Sequence, residues 1–159
     1  MKRHRSLHPL SEHHHHVLVQ ALEIRRAQEA PARRGPAASR RVARTLLRFW
    51  KQTGRKHFRE EEEVLLPAYA RHVPLDQDKA VVQMLADHAA IRASLGNLEQ
   101  ALATGRPVAA ELAALGRRLR EHVRLEEDQI FPRLEATLGE EELQALGQRL
   151  TRLHRAKKG

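Results

Sequence analysis

The chain repeats one phrase, and the phrase carries a structural demand. HFREEEEVLLP begins at His57 and HVRLEEDQIFP at His122; both read His, three residues, Glu-Glu-acid, three residues, Pro. A histidine and a carboxylate four apart sit one turn apart on one helix face. In each phrase that face is otherwise apolar: Leu46, Trp50, Val64, Leu65 and Ala68 align with His57 and Glu61, and Leu112, Leu115, Leu119 and Ile130 with His122 and Glu126. Ionised groups in an apolar stripe are costly unless they are paired or coordinated. The fold must therefore bring two polar pairs together inside a core.

Apolar spacing and breakers divide the chain into helices. The first runs from about Pro9 to Glu29, with Ser11 or the residues before it as cap. APARRGPAA interrupts the pattern, and the second helix runs from near Ser39 to His72. A third follows Leu75, with Asp76 as candidate cap, and ends near Thr104. The fourth spans Val108 to about Leu138, and EEELQALGQRLTRLHR forms a short fifth. Pro67 and Pro132 fall inside helical patterns and should kink or end them. Four long helices with short connections predict an all-α, antiparallel up-and-down four-helix bundle over residues 1–138. Residues 139–159 are expected to form an amphipathic helix and basic tail, covering one side of the bundle or pairing with another subunit.

Composition narrows the function classes. There is no cysteine, which excludes disulfides, iron–sulfur clusters and thiolate zinc sites. No apolar run approaches the roughly 20 residues of a membrane span, and the arginine-rich start lacks a secretory apolar region, so a soluble cytoplasmic protein is expected. The net charge of +9 invites a nucleic-acid reading. Without aromatics interleaved for base stacking, a solvated basic surface is the preferred account.

Further donors complete the pattern. His88 shares a face with Val81, Met84, Leu85, Ile91 and Leu95. In the run His13 to His16, the flanking Leu7, Leu10, Val17, Leu18, Ala21 and Ile24 make His14 the best inward candidate, with His15 and then His13 as alternatives. Adjacent helical residues diverge by roughly 100°, so only one or two of the four can face the core. Of the acidic runs, Glu60 and Glu63 are expected in solvent, and Glu62 and Glu127 beside the site or at the surface. The candidate metal ligands are His14, His57, Glu61, His88, His122 and Glu126. Two histidines and a carboxylate for each of two metals is a ligand set of non-haem iron(II). With both glutamates bridging and an oxide or hydroxide between two octahedral ions, roughly one position per ion stays open. Such a site accepts dioxygen, peroxide or nitric oxide.

At these residues the sequence resembles the hemerythrin-like, or HHE cation-binding, family, from LSEHHHH through HFREEEEVLLP and ADHAAIR to EHVRLEEDQIFP. The resemblance implies a carboxylate-bridged di-iron centre in a four-helix bundle, with His57 and Glu61, His122 and Glu126, and His88 as family ligands and His14 the best first-helix match. Two departures stand out. Oxygen-carrying members place a second histidine four residues beyond the third-helix ligand, where this chain has Arg92. Their fourth-helix carboxylate lies five residues after its histidine, which would favour Glu127; the spacing of His57 and Glu61 favours Glu126. The lost histidine shifts the expectation from simple oxygen carriage toward oxygen or peroxide chemistry, redox sensing or iron handling. An electron donor is then required, and its identity is open. A redox or iron sensor acting through a partner, and a metal-free nucleic-acid-binding bundle, are the competing readings.

Overall fold

In the computed structural model, residues 3–155 are described, and among them there is no strand. Helix α1 is His8–Gln28. Helix α2 covers residues 35–69, and within it the turns Trp50–Gly54 and Glu61–Leu65 widen to π geometry. Helix α3 is Lys79–Ala103. Helix α4 covers residues 109–137, with one π-turn at Glu126–Ile130, and α5 is Glu140–Arg155. Lys157 and Lys158 of the expected basic tail lie outside the described residues.

Cross-helix pairs fix the directions. His14 meets Glu126 while Ile24 meets Gly116, so α1 and α4 are antiparallel. Glu62 pairs with His88 and Lys51 with Glu99, which opposes α2 and α3. Asp78 pairs with Arg133 and Asp87 with Arg118, which opposes α3 and α4. The result is an up-and-down bundle. Gly116 has a packing reason: a Cβ there would sit 2.9 Å from Ile24 Cγ2.

Local chemistry explains most element ends. Asp78, rather than the expected Asp76, caps α3, accepting from the backbone N–H groups of Ala80 and Val81. Gly105, at φ 72°, takes the left-handed conformation that closes α3, and Arg106 N–H donates to Ala101 C=O. Helix α2 starts at Gly35, four residues before the expected Ser39, because Pro36 occupies its first turn and needs no N–H partner there.

The two internal prolines neither end their helices nor break them. Proline lacks an N–H and crowds the carbonyl four residues back. Each is preceded by a π-turn instead, in which Leu66 N–H donates to Glu61 C=O and Phe131 N–H to Glu126 C=O. The widened turns therefore begin at the two glutamates that the sequence singled out.

Two apolar clusters flank the polar level. One unites Leu7, Leu10, Leu65, Met84, Phe131 and Leu134 with Leu143, Leu146 and Leu150 of α5; the other joins Ile24, Leu46, Phe58, Ile91, Leu98 and Leu112. Helix α5 thus covers one end of the bundle, where Gly147 lies against Ser6. Leu18 and Leu85, expected inward, are 40% and 39% exposed. Both lie at the edge of their helix's apolar arc, and the neighbouring helices take the arc's other side.

Candidate metal centre

The six candidate donors meet between the two apolar clusters. His14, His57, Glu61, His88, His122 and Glu126 are each at most 3% exposed. Glu61 Oε1 lies 2.9 Å from His57 Nε2 and 3.7 Å from His14 Nε2, while its Oε2 lies 3.3 Å from His88 Nε2. Glu126 mirrors this: Oε2 is 2.8 Å from His14 Nε2, and Oε1 is 3.2 Å from His122 Nε2 and 3.7 Å from His88 Nε2. Each carboxylate therefore sends one oxygen into each of two nests. One nest is formed by His14, His57, Glu61 and Glu126, the other by His88, His122, Glu61 and Glu126.

These close atoms are not aligned with one another. All four Nε2 atoms and all four carboxylate oxygens are buried without a hydrogen-bond partner. Groups that burial should penalise are aimed at common points rather than at each other. That is the arrangement a cation requires, and nitrogen with carboxylate oxygen suits iron, manganese or zinc.

The far side of three of the imidazoles is hydrogen-bonded as well, while His122 Nδ1 is buried near Asp87 without a hydrogen bond. Glu127 Oε1 is 2.7 Å from His14 Nδ1, and Glu62 Oε1 is 2.7 Å from His88 Nδ1. Asp87 Oδ2 is 3.8 Å from His122 Nδ1, and His13 Nδ1 is 3.2 Å from His57 Nδ1. Such partners fix ring orientation and leave Nε2 free for a metal. The pattern is two-fold. The second glutamate of each repeated phrase reaches across to the histidine of the next helix. The residue preceding His14 or His88 faces the histidine of the following one, within hydrogen-bond distance for His13 and His57 but not for Asp87 and His122.

This resolves the run of four histidines. His14 enters the centre, His13 supports His57, and His15 and His16 are exposed. Glu126 is in the centre, and Glu127 stands behind His14. Glu60 corrects an expectation: it is 1% exposed, with Oε2 3.7 Å from His13 Nδ1 and Oε1 3.8 Å from Lys56 Nζ. Arg92 bonds Glu62 and lies over Phe58, which stacks on His88 at 3.6 Å. Arg3, Phe131 and His14 form a matching stack on the other side. Asp87, Phe58, Phe131 and Arg3 were not singled out from the sequence. Only Asp87 had a signal there, as the neighbour of His88.

Charge accounts for the protonation of the metal-free cluster. Burial pulls His88 down, but the carboxylates of Glu126 and Glu61 lift it to about 10. His14 is also raised well above its ordinary value, since Glu126, Glu127 and Glu61 outweigh burial. Burial pushes Glu61 up, yet His57, His14 and His88 hold it well below the carboxylate range. The same carboxylates that would hold a cation therefore favour the charged form of His14 and His88 when no metal is bound.

The model of the Hemerythrin HHE cation binding domain matches residues 6–156 of the sequence, nearly its whole length. The chain belongs to the hemerythrin HHE cation-binding family. No curated protein and no solved structure matches it. Membership makes this a metal-binding helical protein, and no helix among the described residues is long and apolar enough to cross a membrane.

A cavity of about 30 Å³ adjoins the centre, walled by His14, His57 and His122 on one side and mainly by apolar residues, including Trp50, Phe58 and Leu119, on the other. Gln20 also lines that wall, and its Oε1 is buried without a partner.

Proposed function

We propose that His14, His57, Glu61, His88, His122 and Glu126 hold two iron ions with a bridging oxide or hydroxide, and that the protein binds or reduces dioxygen, peroxide or nitric oxide. The observation that carries this reading is the division of each glutamate's oxygens between the two nests. A single tetrahedral zinc needs only about four donors and would leave two histidines without a role. When bound, ferrous iron with an open position supplies electrons to a small oxidant.

The chain's own residues supply the rest. Glu62 and Glu127 hold His88 and His14 through Nδ1, so the Nε2 lone pairs point at the metal nests. Phe58 and Phe131 stack on the same two rings and keep water from them. The cavity has room for a small molecule beside three of the histidines, and its mainly apolar wall suits a diatomic molecule or peroxide. Gln20 Oε1, buried without a partner, can accept a hydrogen bond from a protonated ligand such as hydrogen peroxide. Among the described residues no carboxyl group lines that wall, which favours binding or electron transfer over chemistry that needs an acid at hand.

Purified protein loaded with iron should contain about two irons per chain, in line with two metal nests, show ferric absorption, and lose that absorption on reduction. One zinc per chain with no iron chromophore would refute the reading. A sensor role has a specific observation in its favour. Helix α5 packs on the π-turn that starts at Glu61, so a change at the centre has a direct route to it. Metal-dependent protection of α5 from hydrogen exchange would distinguish that role.

A further inference from the structure

The reduction proposed above needs an electron donor, and one face of the bundle is built for its approach. Arg41, Arg44, Arg48, Lys51, Arg55 and Arg59 recur every three or four residues along α2, and all are exposed. That spacing places them on one helix face over about 27 Å. Arg92 of α3 joins them across a groove of about 400 Å³. Three carboxylates face these seven cations: Glu99 on Lys51, Glu63 on Arg59 and Glu62 on Arg92. Among the described residues no ion pair reaches Arg41, Arg44 or Arg48. The face therefore keeps a strong positive excess.

An aromatic path descends from the same groove to the centre. Trp50 lines both the groove and the inner cavity. Its ring meets Phe58 edge-on at 5.0 Å, and Phe58 stacks on His88 at 3.6 Å and 11°. The ring's seat is specific. A Cβ on Gly54 would fall 2.3 Å from it, so only glycine leaves room for the indole. This seat is the π-turn Trp50–Gly54, the one π-turn of the three that no proline explains. Single π-turns are frequent at functional positions.

We propose that the α2–α3 face bearing Arg44, Arg48, Lys51, Arg55 and Arg92 docks an acidic one-electron donor protein, whose electrons pass through Trp50, Phe58 and His88 to the metal centre. This rests on the di-iron reading. Each docking event oxidises one donor by one electron and reduces one ferric ion to ferrous; two events reduce the pair, and no covalent bond forms or breaks at the surface. A nucleic acid fits less well, because the groove's aromatic ring is turned inward onto Phe58 and leaves no platform for base stacking.

The test uses the full chain and a plant-type [2Fe–2S] ferredoxin as the acidic probe. Calorimetry follows binding of oxidised ferredoxin to iron-loaded and metal-free protein. Stopped-flow absorption follows loss of the ferric band with reduced ferredoxin, with a cationic viologen radical as a donor that needs no docking. Binding should weaken about ten-fold or more from low salt to about 0.15 M. Combined Arg44→Glu, Arg48→Glu and Arg55→Glu substitution should abolish ferredoxin binding without slowing reduction by viologen. Trp50→Leu, checked for helicity and iron content, should bind ferredoxin normally but transfer electrons several-fold more slowly at saturation, and Trp50→Phe should restore much of the rate. Salt-independent or absent ferredoxin binding would overturn the proposal. So would charge reversal without effect, unchanged transfer in Trp50→Leu, or tight duplex DNA binding in place of ferredoxin binding. If the protein holds no iron, the di-iron reading fails by itself, and the metal-free binding arm still decides whether the face docks an acidic protein.

Discussion

Individual side chains at the centre divide into those that point a donor inward and those that hold them. Replacing His14 by alanine removes a donor from one nest, so iron content should fall toward one ion per chain or less; His15→Ala and His16→Ala should leave it unchanged, because both rings are exposed. Metal analysis after desalting separates these outcomes. Glu62→Gln and Glu127→Gln keep size but weaken the grip on Nδ1, and metal affinity should drop about 10- to 100-fold for either, measured by chelator competition. The metal-free protein has its own pH signature. His88 is lifted from 6.5 to about 10 by Glu126 and Glu61 despite burial. A raised value means that its contribution to stability is complete below about pH 6.5 and is lost as pH rises through 10. Chelator-treated protein should therefore lose thermal stability from neutral pH toward pH 10, which scanning calorimetry reads directly. No such loss would place the proton elsewhere. His14, His88 and the two repeated pairs were legible in the sequence because polar donors on an apolar stripe stand out. Glu60 was not, since a run of four glutamates reads as solvated until α1 is packed across it.

The helices position these groups through two devices, close packing and widened turns. Gly116 lets α1 approach α4, and a Cβ there would meet Ile24 at 2.9 Å. Gly116→Val should lower stability by about 1–3 kcal/mol in denaturant unfolding, the usual cost of overpacking. The π-turns at Glu61–Leu65 and Glu126–Ile130 were foreseeable only in part. The sequence shows that Pro67 and Pro132 cannot accept ordinary α geometry, but whether the helix kinks, stops or widens depends on neighbours that hold it straight. Those neighbours are Tyr69 and Leu134, buried beyond the prolines in the cluster that α5 completes. The exposure of Leu18 and Leu85 has the same origin. Periodicity identifies an apolar arc, and only the crossing of the other helices decides which edge of it is covered.

Across the whole molecule the centre joins two apolar clusters without being the only bond between them. Histidines and glutamates already offset one another's charge in the metal-free state, so chelation should lower the melting temperature while leaving the helical circular dichroism at low temperature largely intact. Collapse to an unfolded spectrum on chelation would show that the clusters cannot hold the bundle alone. The bundle itself followed from helix lengths and short connections. What the sequence left undecided was the place of α5, because Leu143, Leu146 and Leu150 would serve a second copy of the chain as well as they serve Leu7 and Leu65. The central claim is that two metal ions share Glu61 and Glu126 between helices. Anomalous diffraction at the iron edge from iron-loaded crystals tests it most directly. The account predicts two peaks about 3.5–4 Å apart, one beside His14 and His57 and the other beside His88 and His122. A single peak, or iron held only at the exposed His15 and His16, would contradict it.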